Sequence, residues 1–193
     1  VQIDGNSDLL EYDKAGNALK VPPGEADGVP YVELTWDAWN RLVNAQMQSG
    51  DMVVLLGHYS YDGLTRRIAY QTSDTLTYIF YSDKWKPLEE RDEVSGEVLN
   101  QYVWGVRPGH RDELILRDRD TNGDGSLDER LYATMDYYNS TAILDTSGNV
   151  LERYAYSAFG VRRIMAPDFT PRSTSTYDWE FAYKGQFLDS ETG

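Results

Sequence analysis

Short apolar or alternating stretches, each closed off by small polar residues, set the rhythm of this chain. Val53-Val54-Leu55-Leu56, Thr77-Tyr78-Ile79-Phe80-Tyr81, Leu114-Ile115-Leu116 and Val150-Leu151-Glu152-Arg153-Tyr154-Ala155-Tyr156 are bounded by Gly, Ser, Asn or Asp. Runs of this length and period are strands, and sustained helical periodicity is scarce. The pattern predicts an all-β fold.

The connections repeat one chemical design. Tyr12-Asp13-Lys14-Ala15-Gly16, Trp36-Asp37-Ala38-Trp39-Asn40, Leu144-Asp145-Thr146-Ser147-Gly148 and Tyr156-Ser157-Ala158-Phe159-Gly160 each start a turn on a short side-chain acceptor. Gly or Asn then holds the fourth position, where a type I turn followed by a left-handed residue needs positive φ. Tyr61-Asp62-Gly63-Leu64-Thr65 is a weaker copy; β-branched Thr65 is a poor left-handed residue, so a different turn is expected there. Tyr12 to Trp36 is 24 positions, Trp36 to Tyr61 is 25 and Tyr61 to Tyr81 is 20. Two strands of about six residues plus two short connections fill that period, so one repeat is one hairpin. A lone hairpin is marginal in water. Consecutive antiparallel hairpins are therefore expected to pair edge to edge in one curved or spiralling sheet.

Composition supports strands: 13% of residues are aromatic, with 15 Tyr and 5 Trp. A chain of 193 residues with 40% hydrophobic content can bury about 70% of its unfolded surface if it closes into one body. The charge of -14, from 18 basic and 32 acidic side chains, argues against nucleic acid as a partner, because phosphate binding needs clustered cations. It fits a solvated, self-repelling surface. With no cysteine there is no disulfide framework, which leaves the compartment open. No stretch approaches the 18 apolar residues of a membrane span, and Val1-Gln2-Ile3-Asp4-Gly5 lacks the pattern of a signal peptide. The chain reads as a piece of a longer protein. The loops at 22–28 and 166–177 do not divide it, so residues 1–193 are expected to form one domain.

Three stretches resemble the tyrosine-aspartate repeats of RHS proteins: Tyr12-Asp13, Trp36-Asp37-Ala38-Trp39-Asn40-Arg41-Leu42-Val43 and Tyr61-Asp62-Gly63-Leu64-Thr65-Arg66-Arg67-Ile68. From Tyr102-Val103-Trp104-Gly105, through Asp112 to Asp118 and Glu152 to Gly160, to Leu188-Asp189-Ser190-Glu191-Thr192-Gly193, the chain resembles the RHS-associated core. On this resemblance residues 1–100 are repeats and 101–193 a core segment. Thr65, Ala158 and Lys184 depart from residues common in the family. The resemblance implies a β-shell that encloses a C-terminal effector or toxin, in bacterial proteins that are secreted or displayed at the cell surface. The chain would be wall, with neighbouring repeats and the effector as partners and no catalytic residue of its own.

The sharpest chemical motif is Asp118-Arg119-Asp120-Thr121-Asn122-Gly123-Asp124-Gly125-Ser126-Leu127-Asp128-Glu129. It fits a twelve-position calcium loop, in which alternate oxygens wrap a hard cation and Gly allows the sharp bend. A second register uses Asp120, Asn122, Asp124, Gly125 and Asp128, anchored by Leu127, with Leu131 in place of the final acid. Strands are expected on both flanks, so calcium here would be structural. The alternative is a hairpin tip that uses Asn-Gly and Asp-Gly for turn geometry alone.

Other chemistry is thin. His58 and His110 are the only histidines, too few for a three-His zinc site and without a paired nucleophile. Glu89, Glu90, Asp92 and Glu93 are acidic, but in a chain this acidic that carries little information. Of Arg66-Arg67 and Arg162-Arg163, strand alternation should send one of each pair outward. Trp39, Trp85, Trp104 and Trp179 could stack on sugars, which gives an alternative reading as a carbohydrate or cell-surface binding module; packing within the sheet is the competing role. An excised sheet should leave unpaired edges and self-associate.

Overall fold

The computed structural model describes residues 10–21, 31–49, 52–106, 113–136, 139–158, 160–182 and 185–189. The 22–28 loop, His110 and Lys184 lie outside them. The described elements are all strands: β1 (Glu11–Tyr12), β2 (Ala18–Val21), β3 (Val32–Trp36), β4 (Leu42–Ser49), β5 (Met52–Tyr61), β6 (Arg67–Gln71), β7 (Leu76–Tyr81), β8 (Pro87–Asp92), β9 (Val98–Trp104), β10 (Leu114–Arg119), β11 (Glu129–Met135), β12 (Ser140–Leu144), β13 (Val150–Tyr156), β14 (Arg162–Met165) and β15 (Pro171–Arg172). Their spatial order in the sheet is their chain order, β1 to β15. Consecutive antiparallel hairpins are what the repeated turns predict, and each period of the turn motif supplies two strands.

The chain forms two compact units. One holds the described residues up to Ile79 with Asp92–Val94, and the other holds Phe80–Arg91 and Ser95–Asp189. In the first, Val32, Ala45 and Tyr59 are buried, with Leu34, Leu42, Leu56, Tyr61 and Tyr70 packed against them. Cross-strand pairing puts Leu34 opposite Ala45 and Tyr59 opposite Tyr70. In the second, Tyr102, Leu114, Leu131, Ile143, Tyr154 and Ile164 form a larger core, which Trp179 and Phe181 complete. Inward residues pair directly: Tyr154 lies opposite Ile164, and Arg117 sits between Tyr102 and Leu131. Alternation along the strands leaves Val103 and Tyr132 on the other face, half-exposed.

Four of the register shifts fall just ahead of turns of this design, between Glu11 and Tyr12, Thr35 and Trp36, Ser60 and Tyr61, and Ile143 and Leu144. Each is the bulge that accompanies a left-handed residue closing a type I turn. The residue that leads each turn is thereby re-aimed.

Candidate functional site

One pair of backbone hydrogen bonds recurs at Asp13, Asp37, Asp62, Ser82, Asp145, Ser157, Ala166 and Ala182. The first residue's N–H donates to the carbonyl four residues on, and the fourth residue's N–H donates back to the first residue's carbonyl. The fourth residues all have positive φ: Gly16, Asn40, Thr65, Trp85, Gly148, Gly160, Phe169 and Gly185. Thr65, at φ 65°, therefore keeps the common turn and does not form a different one. Asp62 explains why: its Oδ1 accepts the backbone N–H groups of Leu64 and Arg66, both at 2.9 Å, and its Oδ2 accepts Arg66 Nε at 2.7 Å. Together with the flanking ladder these bonds overdetermine the corner.

The same wiring holds at Asp13 with Asn17, Asp37 with Arg41 and Asp145 with Asn149. For Asp37 and Asp62, desolvation pushes the carboxyl up, but the bonds from Arg41 and Arg66 outweigh it and hold both below the usual carboxylate range. The residue four after the acid is a part of the motif the sequence analysis missed. Its signal is the recurrence of Asn or Arg at that offset. Arg66 is spent on Asp62 and Arg67 lies 4.2 Å from the centroid of the Tyr59 ring, so both are half-buried and neither points freely outward. Arg163 is exposed, as alternation predicts.

The aromatic ahead of a turn has its own task. Trp36 Nε1 donates to Ala18 O at 2.6 Å, Tyr61 OH to Leu42 O at 2.7 Å and Trp104 Nε1 to Pro87 O at 2.6 Å. In each case the acceptor is the residue that opens the strand after the preceding turn of this type. An amphipathic ring with a donor tip suits this position, because it packs and bonds together. Neighbouring turns are also joined directly: Asn17 Nδ2 donates to Asn40 Oδ1 at 2.9 Å and Arg41 Nη1 to Asp62 O at 3.2 Å.

The acidic loop between β10 and β11 separates its two calcium registers. Asp118 and Glu129 lie in the strands and are held by arginines. Arg130 pairs with Asp118 through two bonds of 2.7 Å, while Glu129 takes Arg117 at 3.1 Å and Arg119 at 3.0 Å. Within the loop, Asp120 accepts the N–H groups of Asn122, Gly123 and Gly125. Asn122 accepts Asp124 N, Asp124 accepts Ser126 N, and Asp128 accepts both N and Oγ1 of Thr121. Gly123 and Gly125 have φ of 73° and 83°. Among the described residues no three His, Cys, Asp or Glu side chains are grouped so as to hold a metal ion. The oxygens of Asp120, Asn122, Asp124 and Asp128 are engaged by the loop's own donors.

The sugar-stacking candidates divide as well. Trp39 and Trp85 are 72% and 52% exposed, at turn tips, whereas Trp179 is 1% exposed and Trp104 packs on the core. His58 is exposed on β5. No described helix could cross a membrane.

The 166–177 stretch, read from the sequence as a loop, opens on a regular turn at Ala166 and continues into β15. From there residues 173–182 run along the core of the second unit. Glu152, fully buried, accepts Arg172 Nη1 at 3.0 Å, Ser175 Oγ at 2.7 Å and Thr176 N at 2.8 Å. Arg117 donates to the carbonyls of Tyr177 and Asp178, both at 2.6 Å, and Arg162 donates to that of Trp179.

No protein-family model matches the chain. Over 189 residues, 97% of its length, it is 29% identical to the tRNA3(Ser)-specific nuclease WapA of Bacillus spizizenii. It spans 7% of the length of that protein.

Proposed function

We propose that this chain is a non-catalytic wall segment of an RHS-type β-shell that encloses a C-terminal effector of its parent protein. One observation carries the reading: a single turn design recurs while strand after strand pairs with its chain neighbour. A sheet built this way grows by repetition and can surround a cargo. The resemblance to tyrosine-aspartate repeats, and the likeness to a small share of a much longer nuclease, support a place within a large protein whose chemistry lies elsewhere. The proposed setting is a secreted or surface-displayed bacterial protein. The test is protease treatment of the parent chain with its downstream segment present. That segment should survive until the wall is unfolded; digestion at the rate of the isolated segment would overturn the reading.

Calcium is proposed only as a structural occupant of the register Asp120, Asn122, Asp124 and Asp128, since arginines hold Asp118 and Glu129. Binding would exchange the loop's internal donors for the cation. Calcium added to chelated protein should raise the thermal midpoint by mass action. An unchanged midpoint at millimolar calcium removes it.

The exposure of Trp39 and Trp85 favours a second role, carbohydrate stacking at the turn tips. Glycan-array binding that falls on Trp39→Ala or Trp85→Ala, with unchanged thermal midpoints, would establish it; an array without binding would exclude it.

A further inference from the structure

Residues 173–182 are held as a docked peptide is held. Ser173 to Glu180 lie outside any strand, with bends at Thr176 and Tyr177 and a φ of 46° at Asp178. The sheet supplies the partners instead: a guanidinium from β10 and one from β14 take three consecutive main-chain carbonyls, of Tyr177, Asp178 and Trp179. A carboxylate from β13 takes Ser175 and Thr176. The carbonyl contacts are indifferent to side-chain identity, so selectivity rests on the Ser175 and Thr176 hydroxyls that reach Glu152 and on two apolar anchors. These are Trp179 and Phe181, 1% and 2% exposed. The Phe181 ring meets Tyr102 edge-on at 5.0 Å and Trp104 at 5.5 Å. Backbone caught by polar groups, with two aromatics in pockets, is how peptide grooves bind.

The empty groove would be an improbable surface. Arg117 and Glu152 are 3% and 0% exposed, and both would lose partners that compensate a buried charge. Tyr102 and Trp104 would lose the Phe181 ring that packs edge-on against them. The groove therefore calls for an occupant of this chemistry.

We infer that the face of β9 to β14 is a binding groove for a bent polypeptide segment carrying Trp-x-Phe, filled by residues 175–181 of the same chain, with the bend at Asp178, and that this segment stays bound when its covalent link to the sheet is cut. The inference does not depend on the shell reading. A wall with this property keeps hold of the chain that leaves it even after a nick.

The experiment uses the full chain with a protease recognition site inserted between Asp168 and Phe169, both exposed in the turn before β15. After cutting, the two fragments should co-elute on native size exclusion, and excess labelled peptide spanning 169–189 should displace the tail fragment. Trp179→Ala and Phe181→Ala, introduced together and shown to be folded in the uncut chain, should weaken retention by about thirtyfold or more, the effect expected of an anchor aromatic. Separation of the unmutated fragments under native conditions would overturn the inference. So would co-elution that neither the peptide nor the double variant disturbs, because short β15 pairing would then be the hold.

Discussion

Thr65 and Gly57 show how single positions pay for the repeated corner. Threonine is a β-branched residue at φ 65°, in a region that costs a non-glycine residue about 1–2 kcal/mol. Glycine there would remove that cost while adding unfolded-state entropy, for a net gain of about 0.5–1 kcal/mol. Thr65→Gly should thus raise the urea midpoint; an unchanged or lower midpoint would mean that its hydroxyl bond to Leu64 O outweighs the strain. Gly57 is the reverse case. A Cβ built there would lie 2.3 Å from Tyr59 Oη and 2.6 Å from Cζ, and the Tyr59 ring is buried beneath Arg67. Gly57→Ala must displace that ring and should cost about 1–3 kcal/mol by overpacking; a neutral result in the same titration would show that the ring swings aside freely.

Strands and turns were legible because their determinants are local. An acceptor at the first turn position and Gly or Asn at the fourth are visible within five residues, and they located the corners at Asp13, Asp37, Asp145 and Ser157. The corner at Ala166 escaped, and the one at Ser82 was marked only by its leading Tyr81, because Phe169 and Trp85 occupy the left-handed position, where only the ladder on either side forces such residues. The segment 173–182 that lies along the core of the second unit was illegible for a stronger reason. Its bonds join Arg117 to residues 60 and 61 positions away, and no periodicity carries such information. Glu152 makes the hold on this segment testable by acid. Burial pushes its carboxyl up, but the Thr176 N–H and the hydroxyls of Ser175, Tyr154 and Thr176 outweigh that and hold it below its ordinary value of 4.5. Arg172, at 3.0 Å, is the charged group that faces it. A lowered folded pKa gives stability that is fully present above pH 4.5 and lost as pH falls through the folded value. Tryptophan fluorescence should therefore report release around Trp179 below pH 4.5. Glu152→Gln should already be destabilised at pH 7 and should lose that acid step; a step of the same size in the variant would assign it to other carboxylates.

At the scale of the whole molecule, edges and charge oppose each other. The first and last described strands, β1 and β15, are two residues each, and β15 begins with Pro171, so each offers few ladder bonds to another copy. Two copies that meet there also bring together chains of net charge -14. Repulsion between surfaces of like charge is long-ranged at low salt and confined to about 8 Å at physiological ionic strength. Pairing of backbone edges, by contrast, is short-ranged and little affected by ions. Association through the edges should accordingly be weak, concentration-dependent and promoted by salt. Sedimentation equilibrium over a series of sodium chloride concentrations should show the average mass rising with both protein and salt. A monomer throughout would mean that the short strands alone suffice to protect the sheet, and a mass that falls with salt would place the contact on opposite charges instead of on the ladder.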